Sequence, residues 1–194
     1  TRHRGFIGGS AYDTGTSVAV DRDGNAYVTG GTESDAGSFP VRVGPDLTYS
    51  GSNDHFVAKI NAAGTDLDYC GYIGGAQMED TGGAIAVDSA GCAYVTGRTY
   101  STEATFPVTV GPDLTYSGGD GEAYVAKVNP AGTALDYCGY IGGSGADDGS
   151  GIAVDSAGNA FVVRSTKSTE ATFPVLIGPD LSYNGEWDAF VAKA

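Results

Sequence analysis

The sequence predicts an all-β chain built from four-stranded antiparallel blades, three of them in this chain, arranged as in a β-propeller. Three observations predict it. The stretch GTSVAVDRDGNAYVTG, Gly15 to Gly30, returns in recognisable form from Gly82 to Gly97 and from Gly149 to Arg164. Asp21, Asp88 and Asp155 recur at intervals of about 67 residues, as do the Phe-Pro pairs that begin at Phe39, Phe106 and Phe173. Glycine supplies 32 residues and tyrosine 12, while runs of helix formers are missing, a composition that favours turns and strands. A period this long with several strands inside it marks a propeller or an array.

Taken in order, the chain opens with Arg4 to Ile7, RGFI, which matches CGYI at Cys70 to Ile73 and at Cys138 to Ile141. In the internal copies those residues end a longer strand, LDYCGYI, so the N-terminal segment reads as the tail of a fourth blade strand. A Gly-rich connection, GGSAYDTG, follows. The hairpin of Thr16 to Asp21 and Asn25 to Gly31 then folds about an Asp-x-x-Gly turn. Thr32 to Asp54 is too long for an ordinary hairpin loop and is expected to be ordered by its own contacts. Its anchors Phe39, Val41, Leu47 and Tyr49 recur as Phe106, Val108, Leu114 and Tyr116, and as Phe173, Val175, Leu181 and Tyr183; they are expected to tuck under the loop as a satellite core.

The third strands are His55 to Ile60, Ala123 to Val128 and Ala189 to Ala194, and the fourth are Asp66 to Ile73 and Ala134 to Ile141. Four antiparallel strands per repeat is the unit of a propeller blade. The whole of 1–194 reads as one unit with repeats at approximately 5–70, 71–138 and 139–194. The third repeat has no fourth strand of its own, and Arg4 to Ile7 is expected to pair beside its last strand and cover that edge. Three blades fall short of the four to eight of ordinary propellers. Three outcomes stand open: two copies making a six-bladed ring with exchanged terminal strands, a part of a longer propeller polypeptide, or an arc capped by a different subunit.

Charge narrows the partners. Ten Lys and Arg against 24 Asp and Glu leave a formal charge of −14, which repels nucleic acid and anionic membrane surfaces. No stretch is long and apolar enough to span a bilayer, and TRHRGFIGG lacks the apolar segment of a secretory signal, so the chain reads as soluble as given or mature after processing. Cys70 and Cys138 hold equivalent positions on successive blades, Cys92 stands where Asn25 and Asn159 do, and no CxxC occurs; buried free thiols are expected.

The turns within hairpins are short and the connections on the opposite face long, so one face is plain and the other decorated; a ligand or partner is expected on the decorated one. Asp13, Glu79, Asp80, Asp147 and Asp148 fall on the connections between blades. Carboxylates converging there would suit Ca²⁺, the one cofactor considered, or would accept backbone hydrogen bonds in Gly-rich turns. Tyr12, Tyr100 and Trp187 are aromatic residues outside the strict repeat, able to stack on a glycan or, for Trp187, to anchor an interface. Arg164 and Lys167 replace Gly97 and Tyr100 in an acidic chain and mark a candidate subunit contact. No catalytic set is assigned: His3 and His55 belong to no repeated constellation, and the abundant carboxylates mark no pair as special.

The combination GGSxxDxGxxIAVDSAGNAYVTG, then FPV, DAFVAK and a strand ending in YIGG, resembles the bacterial and archaeal SBBP repeat family of β-propellers, over almost the whole chain. Members of that family are commonly parts of large secreted or cell-surface proteins, often beside adhesion-like domains, and generally lack an assigned enzymatic activity. The resemblance implies a non-enzymatic extracellular or cell-surface scaffold that assembles with itself or with other subunits. A lectin-like or Ca²⁺-dependent glycan binder is the alternative expectation, and a glycan-cleaving enzyme the last. A family named for seven blades is represented here by three.

Overall fold

The computed structural model describes residues 4–77 and 81–194. Among them are eleven strands: β1 (Asp13–Val20), β2 (Ala26–Thr32), β3 (Asp54–Ile60), β4 (Leu67–Ile73), β5 (Thr81–Val87), β6 (Ala93–Thr99), β7 (Glu122–Val128), β8 (Leu135–Ile141), β9 (Asp147–Val154), β10 (Ala160–Thr166) and β11 (Asp188–Lys193). They form three antiparallel meanders, ordered β1-β2-β3-β4, β5-β6-β7-β8 and β9-β10-β11. The first strands β1, β5 and β9 lie side by side, which sets the blades in sequence order around a common inner edge. No helix among the described residues is long and apolar enough to cross a membrane.

Each first hairpin is held by its aspartate. Asp21 Oδ1 accepts the N–H of Asp23 at 3.0 Å and of Asn25 at 2.9 Å, and Asp155 does the same for Ala157 and Asn159 at 2.9 Å each. The turn then needs a left-handed residue, and Gly24, Gly91 and Gly158 supply it at φ 87, 85 and 84.

The blades are glued by apolar faces. Tyr27, Val57, Tyr69 and Ile73 of the first blade pack on Ile85, Val95, Phe106, Tyr124 and Tyr140 of the second. Tyr94, Val125 and Ile141 of the second pack on Ala160 and Val162 of the third, with Phe173 and Phe190 alongside. The isoleucine that ends each fourth strand thus belongs to the next blade's core; burying one such side chain contributes about 1.5–3 kcal/mol.

The long connections are ordered as expected, and by a device that residue patterns do not show. In the first blade Arg42 N donates to Cys70 O at 2.9 Å and Tyr72 N to Asp46 O at 2.8 Å. In the second, Thr109 N donates to Cys138 O at 3.0 Å and Tyr140 N to Asp113 O at 2.8 Å. The loop backbone therefore covers the outer edge of the fourth strand, where unpaired groups would otherwise face water. Phe39 and Phe106 are buried beneath it as expected, but Leu47 and Leu114 stay about half exposed, and in the third loop Val175 and Leu181 are exposed at 37% and 44%, against the expectation of a satellite core there.

Two expectations about ends and thiols have different outcomes. Cys70, Cys92 and Cys138 are free and buried. Burial pushes the Cys70 thiol up to about 12. Arg4 to Ile7, in contrast, forms no strand and makes no hydrogen bond to β11, which is the outer strand of its sheet. The reason is topological: the segment is seated on the first blade, where Ile7 packs beside Phe39, Phe56 and Tyr72, at the opposite end of the arc from β11.

Candidate functional site

The expected carboxylates resolve into separate structural tasks. Asp13 accepts from the hydroxyls of Thr32 and Ser34 and from Gly9 N at 2.8 Å. Asp147 repeats the pattern with the hydroxyls of Thr166 and Ser168 and with Gly143 N at 2.9 Å; burial pushes its carboxyl upward against those bonds. Asp148 points elsewhere and bridges two blades, 3.5 Å from Arg98 Nη1 and 3.6 Å from Arg164 Nε. Glu79 and Asp80 lie outside the described residues. Among the described residues no group of three or more His, Cys, Asp or Glu side chains is disposed to hold a metal ion.

A second set of acids, missed by sequence reasoning, opens each third strand. Asp54 Oδ2 accepts Ser50 N at 2.8 Å, Glu122 Oε1 accepts Ser117 N at 2.6 Å and Asp188 Oδ2 accepts Asn184 N at 2.7 Å, so each pins the end of a long loop. Their repeat position was the available signal. Glu122 is fully buried, and burial pushes its carboxyl up to about 8 although the Ser117 N–H pulls the other way. His55 sits buried beside the Tyr124 hydroxyl, and burial pushes its pKa down to about 3, so it is neutral.

The aromatic and basic candidates are not gathered at one place. Lys167 Nζ lies over the Trp187 ring at 4.6 Å, and the Arg98 guanidinium lies over the Tyr100 ring at the same distance. One face of each ring is thereby covered by a cation of the same blade. Arg164 is held by Asp148, and Tyr12 stands exposed on the connection into the first blade.

The exposed apolar surface lies on the outer faces of the first and third blades. Val57 and Val125 are 0% exposed inside the blade stack, whereas their counterpart Val191 on β11 is 61% exposed. Beside it Val163 stands where Thr29 and Thr96 do, and Phe161 where Tyr27 and Tyr94 do, so the third blade's outer face is the more apolar copy. At the other end Val18 is 62% exposed, while its counterpart Ile85 is 5% exposed. A cavity of about 610 Å³ lies along β11 and the 173–183 loop, with Leu176 and Ile177 on its rim. The substitutions at Phe161 and Val163 are the sequence signal that could have marked this face.

The SBBP beta-propeller repeat matches residues 6–35, 69–103 and 137–169. The chain belongs to this β-propeller repeat family. Among curated proteins no relative matches it. The matches at 69–103 and 137–169 begin within the fourth strands β4 and β8 and run through the next blade's first hairpin, and the match at 6–35 begins at Phe6, in the segment whose sequence matches the end of those strands. The SBBP unit therefore straddles two blades, and the residues from Phe6 onward are its fourth-strand tail even though they form no strand here.

Proposed function

We propose that this chain is a non-enzymatic interaction module, working outside the cytoplasm as part of a larger cell-surface or secreted assembly, whose open blade ends receive a β-strand. The observation that carries the reading is β11 itself: its counterparts β3 and β7 each pair with a fourth strand, while β11 is an outer strand among the described residues, beside a blade face on which Val191 is 61% exposed. An apolar edge strand left bare is a template for another strand, and addition of a strand to an exposed edge is an established mode of peptide recognition. The extracytoplasmic setting rests on the family likeness. The non-enzymatic reading is supported by the employment of Asp13, Asp147 and Glu122 in holding loops, and by a buried neutral His55.

The test is a synthetic peptide of the fourth-strand sequence, Leu135 to Ile141 with alanine in place of Cys138, titrated into the chain by calorimetry. Saturable one-to-one binding that Val191→Lys abolishes is expected. Absence of binding, or binding indifferent to Val191→Lys, overturns the reading.

A further inference from the structure

Ser50-Gly51, Ser117-Gly118 and Asn184-Gly185 hold one repeat position, directly after the loop tyrosines Tyr49, Tyr116 and Tyr183. The third copy alone places a carboxamide before the glycine. Elsewhere in the sequence Asn25, Asn61 and Asn159 precede alanine, Asn53 precedes Asp54 and Asn129 precedes Pro130, so Asn184 is the one asparagine that a glycine follows. Glycine has no Cβ to shield its backbone nitrogen, which can therefore approach the side-chain carbonyl carbon of the residue before it and close a five-membered ring.

The loop leaves this chemistry room. Asn184 and Gly185 are both exposed, and an added Cβ at Gly185 would meet nothing within 4 Å. Gly185 N makes no hydrogen bond among the described residues, so the nucleophile has no bond to give up. Ser50 and Ser117 are exposed too, although each of their blades has a fourth strand and a further blade beside it. Accessibility thus belongs to the repeat position, whatever adjoins the third blade. Two bonds restrain the amide: Asn184 Nδ2 donates to Asp180 Oδ2 at 3.2 Å and to Ser182 O at 3.0 Å, both at exposed residues where water competes. The backbone N–H of Asn184 donates to Asp188 Oδ2 at 2.7 Å and ties the loop end to the start of β11.

We propose that Asn184-Gly185 is a self-modification site, at which the chain loses ammonia and gains a carboxylate, with Asp180 slowing the reaction through its hold on the amide. The Gly185 nitrogen attacks Cγ of Asn184. The N–Cγ bond forms, the Cγ–Nδ2 bond breaks, and Nδ2 leaves as ammonia with the proton given up by Gly185 N. Water then opens the cyclic imide, and no oxidation state changes. Attack at Cγ breaks the new bond and yields aspartate; attack at the backbone carbonyl carbon breaks the original peptide bond and yields isoaspartate, whose main chain runs through Cβ. Either product replaces a donor to Asp180 with a negative charge beside Asp180 and Asp188, in a chain already at −14. Like charges at this spacing repel, and the loop end loosens from β11. The site requires no partner and stands apart from the strand-receiving reading.

Ageing the purified chain at mildly alkaline pH and body temperature tests it, followed by ion exchange and tryptic mass mapping. The tryptic peptide Ser168 to Lys193 holds Asn184 as its one asparagine. A species one charge more acidic is expected to accumulate, with the mass change of amide to carboxylate in that peptide, and a part of it is expected to accept methyl groups from protein isoaspartyl methyltransferase. Asn184→Ser, the residue of the other two copies, is expected to abolish both signals, and Asp180→Ala to hasten them. Asn184→Asp is expected to melt below Asn184→Ser, with the gap closing in high salt; both variants lack the amide, so the gap reads the charge. A Ser168 to Lys193 peptide that keeps its amide overturns the site, as does an acidic species that persists in Asn184→Ser. A rate indifferent to Asp180→Ala overturns the restraint, and equal melting of the two variants overturns the loosening of the loop.

Discussion

The Tyr94 hydroxyl leaves its own blade and lies 3.2 Å from the carbonyl oxygen of Gly158 in the next, while staying 2.9 Å from Asp88 Oδ2. Tyr27 makes the same crossing to Gly91 O at 3.4 Å. A buried side chain on one strand therefore ties the turn of its own blade to the turn of its neighbour, at a ring that is wholly inaccessible to solvent. In the third blade the position is Phe161, and no such tie is available to a following blade.

Tyr94→Phe removes this tie while keeping the ring. A loss of about 1 kcal/mol is expected, the usual net worth of one intramolecular hydrogen bond. Urea denaturation checks it: the midpoint falls and the slope stays constant. An unchanged midpoint would show that the crossing contributes nothing.

Gly139→Ala places a methyl group against the Asp113 carbonyl, 2.6 Å away. Backbone cannot withdraw as a flexible side chain can, and a destabilisation of about 1–3 kcal/mol is expected, as for other overpacked sites. Gly5→Ala is the control, since nothing stands within 4 Å of its Cβ. Its thermal midpoint should not move.

Glu122 makes stability pH-dependent in a direction opposite to a paired surface acid. Its folded pKa of about 8 lies above the ordinary 4.5, so the folded state holds the proton more tightly than the unfolded one. Stability is then greatest at low pH within this window, declines as pH rises from 4.5 towards 8, and levels off above it. Asp147, also pushed upward by burial, acts in the same sense. Asp155 opposes it only in acid, because the Asn159 side chain, then the N–H groups of Asn159 and Ala157, hold its carboxyl below 3.8. Glu122→Gln should flatten the decline in chemical denaturation repeated across this range. A parallel pH profile for parent and variant would refute the assignment.

The thiols should be silent until the fold opens. Cys138 is wholly buried and its thiol is pushed up by burial, as is that of Cys70, so little thiolate exists near neutrality. A thiol-specific chromogenic reagent should find no rapidly reacting group in the native chain and 3 after addition of urea. A fast native reaction at any one of them would contradict the packing.

Residue patterns made the hairpins legible because their turns need particular chemistry: an aspartate that accepts two N–H groups and a glycine at positive φ leave a fixed signature, Asp21 with Gly24. The loop that seals β4 was not legible. Its seal is made by the backbone of Arg42 and Asp46, which any residue could provide, and its trace is the demand for glycine where the two backbones meet, at Gly44 and Gly71. Asp13 and Asp147 were readable as acids on connections, but their hydroxyl partners Thr32, Ser34, Thr166 and Ser168 lie some 20 residues away in sequence, and only folding brings them together. The kinship of Arg4 to Ile7 with the fourth strands was plain from the residues. Its expected pairing within one chain failed because repeat equivalence specifies which blade surface a strand suits, while the distance between the two ends of an arc depends on how many blades separate them.

The offset between SBBP unit and blade has an evolutionary consequence. Because each unit carries the tail of one blade and the opening hairpin of the next, copying or deleting a single unit in a gene changes the blade count by one without creating a new kind of seam. Every boundary inside the lengthened or shortened array would again be an isoleucine of one blade seated in the core of the next. Families built this way can vary the size of their arrays by recombination, while natural selection has one junction to maintain.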